Sequence, residues 1–175
     1  VNQTLFDLDG AERRSMGKRA VAGFLTLPVL FLFVGCSAGP EDVRATADET
    51  VHTALFDFEI SNVAAVDSYL SILPTEGNQL VQMELTVTNT GEDSLTMFAE
   101  DFQIQWGDGE EDYGVCLGAV DDAMVPYSYT LEPGGTYTGT MVAQVPTGTT
   151  QLTVAYQEVL ASGKDGAAYF VEASL

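Results

Sequence analysis

From residue 52 onward, apolar side chains recur at every second position rather than every 3.6. Phe56, Phe58 and Ile60 alternate with Asp57 and Glu59, the pattern of a strand with one face buried. Val81, Met83, Leu85 and Val87 alternate with Gln82, Glu84, Thr86 and Thr88 in the clearest strand of the chain, and Asn89-Thr90-Gly91 stops it with turn residues. Phe102, Ile104 and Trp106 alternate with Gln103 and Gln105, and Gly107-Asp108-Gly109 follows as a hairpin signal. Pro133-Gly134-Gly135 precedes a strand from Tyr137 to Val145, and Pro146-Thr147-Gly148 precedes another from Leu152 to Tyr156. A last strand, Ala168 to Ala173, follows Gly163-Lys164-Asp165-Gly166. Short strands with turn signals between them predict an all-β fold, a single antiparallel sandwich.

The pattern is different near the start. Sixteen apolar or small residues, Ala20 to Gly35, separate the basic cluster Met16-Gly17-Lys18-Arg19 from Cys36, and Ser37-Ala38-Gly39-Pro40 follow. A positive n-region, a short apolar h-region and small residues at the cut describe an exported signal. A transmembrane helix needs about 20 apolar residues, and this run is shorter and carries Pro28. The ending Phe33-Val34-Gly35-Cys36 resembles the lipobox of bacterial lipoproteins, with Phe in place of the usual Leu. That resemblance implies that Cys36 is diacylated and becomes the mature N-terminus. Residues 1 to 15 carry Asp7, Asp9 and Glu12, odd for an n-region, and a start at Met16 gives a compact signal. Arg13-Arg14 lacks the apolar pair of a twin-arginine signal. The expected organisation is a signal helix at 1–35, a lipidated Cys36 with a flexible acidic tether to residue 51, and a sandwich over 52–175. A tether of about 15 residues spans on the order of 20 Å as a coil and about 50 Å fully extended.

Charge narrows the partners. Beyond Cys36 only Arg44 and Lys164 are basic, against 23 of the 26 acids, a formal charge of −21. Such a chain repels nucleic acid and anionic head groups, so polyanion binding is excluded on electrostatic grounds. The partners expected are the membrane, through the N-terminal lipid, and a protein or glycan ligand.

Few residues offer chemistry. His52 is the sole histidine, and any Ser/His/Asp or Cys/His catalysis would have to use it. No nucleophile elbow, phosphate loop or HExxH-type motif accompanies it, so no enzymatic activity is expected. The densest acidic loop, Asp108-Gly109-Glu110-Glu111-Asp112, offers Asp108, Glu110 and Asp112 as calcium ligands spaced by two. It departs from the EF-hand pattern, because Tyr113 stands where the sixth-position glycine belongs. Cys116 lies among apolar residues and reads as a buried small hydrophobe. Tyr127 and Tyr129 share one face if extended, either as core filling or as a stacking platform for peptide or glycan.

Together these positions resemble a known family. The strand Leu80 to Thr88 entering Asn89-Thr90-Gly91, then Phe98, Asp101-Phe102, Trp106-Gly107-Asp108-Gly109, Leu131-Glu132-Pro133-Gly134-Gly135 and Val145-Pro146 are similar to an immunoglobulin-like domain of unknown function. Many lipoproteins of Gram-positive bacteria carry it, and its relatives include a secreted mycobacterial immunoprotective antigen. The resemblance covers about Val51 to Leu175. It implies an immunoglobulin-like sandwich and carries no activity or site residues with it. The reading is a membrane-anchored extracytoplasmic lipoprotein with a non-enzymatic binding or envelope-interaction module. The alternative is a calcium-dependent structural or adhesion module.

With two basic residues after Cys36, most carboxylates see only like charge. Stability of the exported domain should therefore rise as NaCl goes from about 10 mM to 150 mM, where the Debye length falls from roughly 30 Å to 8 Å. Thermal melts across NaCl test this, and a midpoint indifferent to salt would refute the repulsion argument.

Overall fold

The structure, a computed structural model, describes residues 41–109, 111–160 and 162–175. The expected signal and Cys36 lie outside the described residues, as does Glu110. Eleven strands follow in order: β1 (Val43–Thr46), β2 (Val51–His52), β3 (Phe56–Val66), β4 (Asn78–Asn89), β5 (Leu95–Phe98), β6 (Phe102–Gln105), β7 (Val115–Cys116), β8 (Ser128–Leu131), β9 (Thr136–Pro146), β10 (Gln151–Val159) and β11 (Asp165–Ser174). One 3₁₀ turn, Ala99–Asp101, joins β5 to β6. A four-stranded sheet runs β1-β11-β10-β6, a five-stranded sheet runs β2-β3-β4-β9-β7, and β5 pairs with β8. Every pairing is antiparallel except β1 with β11.

The period-two pattern sets the faces. Phe56, Phe58 and Ile60 of β3, and Val81, Met83, Leu85 and Val87 of β4, are all buried in one cluster. Phe102 and Ile104 of β6, Leu152 and Val154 of β10, and Tyr169 and Val171 of β11 complete that cluster from the other sheet. Two inner rows cross the four-stranded sheet in register, Val43-Tyr169-Tyr156-Phe102 and Ala45-Val171-Val154-Ile104. Leu80 is also fully buried although it points away from Val81. It packs with Met124 and Val142 in a second, smaller cluster flanked by Tyr69 and Leu117, under the loop that runs from β7 to β8.

Buried Asn89 closes the far end of β4. Its side-chain amide donates to the carbonyls of Asp93 (2.8 Å) and Leu131 (3.0 Å) and accepts from the Gly91 N–H (2.9 Å). The turn glycines beside it, in Pro133-Gly134-Gly135, bond back to its main chain: Asn89 N–H donates to Gly135 and Gly134 N–H donates to Asn89. A single buried amide, fully paired, thus joins three chain segments.

Three expectations are corrected. The flexible tether does not extend to residue 51, because Val43–Thr46 forms a strand and Val51 is buried. β1 was invisible in the pattern because main-chain bonds to β11, rather than side-chain burial, hold it in place; Arg44 lies over the Phe170 ring, 5.1 Å from its centroid. The last strand starts at Asp165, not Ala168. Gly166 reads as a turn residue but is a buried strand position where a Cβ would collide with the Glu158 side chain. Finally, the chain after Gly107-Asp108-Gly109 returns to β6 only through a Gln105–Tyr113 bridge. It then crosses to the five-stranded sheet, where β7 pairs with β9.

Replacing fully buried Leu85 by Ala should cost about 2–5 kcal/mol, and replacing half-buried Glu84 on the opposite face should cost about 0.5 kcal/mol or less. Urea titrations decide it, and equal effects would mean that the faces are exchanged. A second expectation concerns the tyrosines. Burial first, then the carboxylates of Asp101 and Glu158 and neighbouring Tyr169, push the Tyr156 phenol up to about 12. Burial likewise raises Tyr129, whose hydroxyl is buried without a hydrogen-bond partner. A phenol raised in the folded state contributes stability that is complete below pH 10 and is lost as pH climbs from 10 toward 12. Alkaline unfolding followed by circular dichroism should begin in that window. Tyr129→Phe, which keeps the ring and removes the orphan hydroxyl, should raise stability by about 1 kcal/mol. A loss of that size would mean that the hydroxyl is paired.

Candidate interaction surface

The outer face of the four-stranded sheet is polar and concave. Thr46, Glu172, Thr153 and Gln105 form one row across all four strands, since Thr46 pairs with Glu172, Glu172 with Thr153, and Thr153 with Gln105. This row floors an open groove of about 740 Å³. One wall is the start of the domain, Arg44 to Asp48, and the other is half-buried Trp106 with Gly107 and Asp108. Beyond Gln105 a smaller hollow of about 320 Å³ reaches Gly109 and Tyr113, and Tyr113 Oη accepts a hydrogen bond from Gln105 Nε2 at 3.1 Å. Arg44 Nη1 meets Glu172 Oε1 at 3.3 Å within the groove, with both side chains largely exposed. An exposed pair of this kind adds little stability, so Arg44 is free to exchange Glu172 for a ligand oxygen. Thr46, Gln105, Gln151, Thr153 and Ser174 bring amides and hydroxyls to the lining, Trp106 one aromatic edge, and Asp48, Asp108 and Glu172 carboxylates. This set of hydrogen-bonding groups suits a hydroxyl-rich ligand and disfavours an anionic one.

The acidic loop lies at the end of this groove. Asp112 Oδ2 accepts from the Gly109 N–H at 2.8 Å, and Asp112 closes the turn through its own N–H to Gly109 and its carbonyl to Trp106 N–H. Its carboxylate sits so close over Gly107 and Gly109 that neither position has room for a Cβ. Asp112 therefore has a structural task, and that task explains the glycines around it. Asp108 is exposed at the groove wall. Among the described residues no group of three or more His, Cys, Asp or Glu side chains converges as a metal site.

The other singled-out residues scatter. His52 is on the outer side of β2, its Nδ1 2.8 Å from Asp57 Oδ1, with the imidazole 74% exposed. Cys116, expected to be buried, lies exposed on β7, because that short strand borders the sheet instead of entering the core. Atoms crowding its sulfur nevertheless raise the thiol pKa by desolvation, which keeps it protonated and a slow nucleophile. Tyr127 and Tyr129 part company. Tyr129 is half-buried and stacks on Tyr137 at 4.3 Å. Tyr127 precedes the strand, is 68% exposed, and meets exposed Phe98 edge-on at 6.0 Å. Core filling holds for the first and fails for the second. Two groups escaped the sequence reading. Buried Glu158 of β10 accepts from the Ala54 N–H at 3.0 Å and ties the β2–β3 loop to the end of that strand. Asp101 accepts from the Phe98 N–H at 2.8 Å, and burial first, then Glu100, raise its pKa against that bond. Neither has a local signal, since an acid in a strand or turn looks the same whether buried or not.

Among the described residues no helix is long and apolar enough to cross a membrane. No curated protein matches the chain. Among solved structures, the yjhA protein from Bacillus subtilis is similar over 74% of this chain and 99% of its own, at 20% identity and a TM-score of 0.60. The "putative lipoprotein (ycdA)" from Bacillus subtilis subsp. subtilis str. 168 is similar over 71% of this chain and 38% of its own, at 15% identity and a TM-score of 0.57. An uncharacterized β-sandwich protein from Clostridium difficile 630 matches over 77% of this chain and 96% of its own, at 13% identity and a TM-score of 0.48. The two Bacillus likenesses show a shared fold, and a family profile matches residues 45–167. The chain belongs to the DUF4352 family, a domain of unknown function.

Proposed function

We propose that the protein is an extracytoplasmic lipoprotein, anchored through Cys36, whose sandwich is a non-enzymatic binding module for a hydroxyl-rich polymer of the cell envelope. The groove carries the binding part of this reading: a concave surface spanning four strands, lined by Gln105, Gln151, Thr153 and Thr46 and edged by Trp106. The anchor rests on the h-region and Cys36 of the sequence, and it agrees with the name of the similar ycdA protein. The binding reading also rests on the solvated position of His52, whose ring is hydrogen-bonded to Asp57 outside the groove. An immunoglobulin-like kinship reaching to the mycobacterial antigen belongs to the same proposal. A calcium-dependent structural or adhesion role at Asp108, Glu110 and Asp112 is the competing reading. Saturable stabilisation by CaCl₂ at fixed ionic strength would favour it.

Both parts are testable. Cys36→Ser should abolish acyl labelling of the full chain and leave the signal uncut by the lipoprotein peptidase; normal acylation of the variant would sink the anchor. Gln105→Ala with Thr153→Ala should weaken retention on immobilised wall polysaccharide at least about fivefold, the equivalent of about one lost hydrogen bond. Retention equal to that of the unaltered chain would remove the groove from the proposal.

A further inference from the structure

Four large apolar side chains are exposed around one end of the sandwich. Leu55 is 45% exposed, Val159 57%, Leu160 41% and Val43 39%. Leu55, in the β2–β3 loop, and Val159, the last residue of β10, lie side by side, because the Ala54 N–H is held by Glu158 Oε1; the Leu55 carbonyl accepts from Thr90 N–H. The hairpin between β10 and β11 is closed by Leu160 N–H to the Lys164 carbonyl, which brings Lys164, one of two basic residues after Cys36, to the same tip. The opposite end, where Thr147 N–H donates to the Gly77 carbonyl, also exposes apolar side chains, Leu70 at 65% and Leu73 at 70%, so exposure alone does not choose between the two ends.

The path of the chain points to what this end faces. β1 runs parallel to β11, with Val43 level with Tyr169 and Thr46 level with Glu172. Followed backward from Val43, the chain therefore heads toward Asp165 and the hairpin tip. Only six residues, Ser37 to Asp42, separate Cys36 from β1, and fully extended they bridge at most about 25 Å. Four residues of β11, Tyr169 back to Asp165, take up about 13 Å of that length before the tip is cleared.

We propose that the end bearing Leu55, Val159, Leu160 and Lys164 rests on the lipid bilayer that holds the N-terminal lipid. The inference depends on acylation of Cys36, as proposed above. Shallow burial of the three apolar side chains adds a second contact to the lipid chains, and Lys164 meets a head-group phosphate. This contact offsets the repulsion that the acidic domain would otherwise meet at the surface. The groove on the outer face of the four-stranded sheet then opens sideways, parallel to the membrane.

The test uses acylated full chain in phosphatidylcholine vesicles that contain head-group spin-labelled lipid, with Cys116→Ser so that a single new cysteine takes a fluorophore. A label at Ser162→Cys, on the exposed hairpin, should be quenched severalfold more than one at Thr147→Cys on the far end. Adding Leu55→Ser, Val159→Ser and Leu160→Ser should reduce the hairpin quenching toward that of Thr147→Cys. Palmitate labelling is read on the same samples. Acylated protein with equal quenching at the two ends, or with hairpin quenching unaffected by the serines, overturns this orientation and leaves the anchor standing. Protein without acyl label overturns both.

Discussion

Phe58 projects from β3 into the space between the sheets, and four aromatic rings converge on it. Phe102 lies 5.3 Å away, Phe56 and Tyr156 6.1 Å, and Tyr169 6.4 Å, and all four rings are tilted or edge-on to it. Three of them come from β6, β10 and β11, so a single side chain of one sheet touches three strands of the other. Edge-to-face pairs add about 0.5–1.5 kcal/mol beyond buried area, and their geometry fixes how the sheets slide past each other. The rest of the four-stranded sheet follows from that register. Tyr169, Tyr156 and Phe102 are consecutive members of one cross-strand row, and the next outward row but one is the floor of the groove. The position of the groove is thus a consequence of ring packing on the reverse side of its sheet.

The surface manages charge in a matching way. On the outer face of the five-stranded sheet, Asp57, Glu59 and Glu84 stand on strands beside threonines, not opposite other acids: Asp57 pairs with Thr88, Glu59 with Thr86, and Glu84 with Thr140. The threonines pair among themselves, Thr86 with Thr138 at 3.0 Å and Thr88 with Thr136 at 2.9 Å between hydroxyls. Cross-strand hydroxyl pairs are mildly favourable where directly opposed like charges are not. A domain with two cations can therefore carry its acids by spacing them with neutral hydroxyls.

What the sequence made legible was whatever depends on side-chain alternation. The strands of Phe56, Leu85, Ile104, Val145 and Val154, and the turns at Asn89 and Pro133, follow from period two and turn chemistry. What escaped depends on distant partners. β1 offers only Val43 and Ala45, too few apolar positions to mark a strand, because β11 holds it chiefly through the main chain. Leu80 sits on a nominally outward face and is covered by Met124, forty-four positions away in a segment without pattern. Gly166 looks like a turn until Glu158 is placed against it. The groove was illegible for the same reason: its floor takes one side chain from each of four strands, and only the assembled sheet makes them neighbours.

The lengths of the strands follow their position. β4 and β9, with twelve and eleven residues, have partners on both sides, whereas the borders of the two sheets are strands of only four or two residues: β1, β6, β2 and β7. Part of β3 lies beyond the reach of β2, and there a bulge between Ser61 and Ala64, with Asn62 in a left-handed conformation, breaks its regular ladder. Among the described residues, unpaired main-chain groups are thus not presented as a long, straight template, which is how sheet proteins avoid joining edge to edge. For copies held on one membrane by the proposed Cys36 anchor, where local concentration far exceeds that in solution, this shape would keep neighbours separate without relying on charge alone.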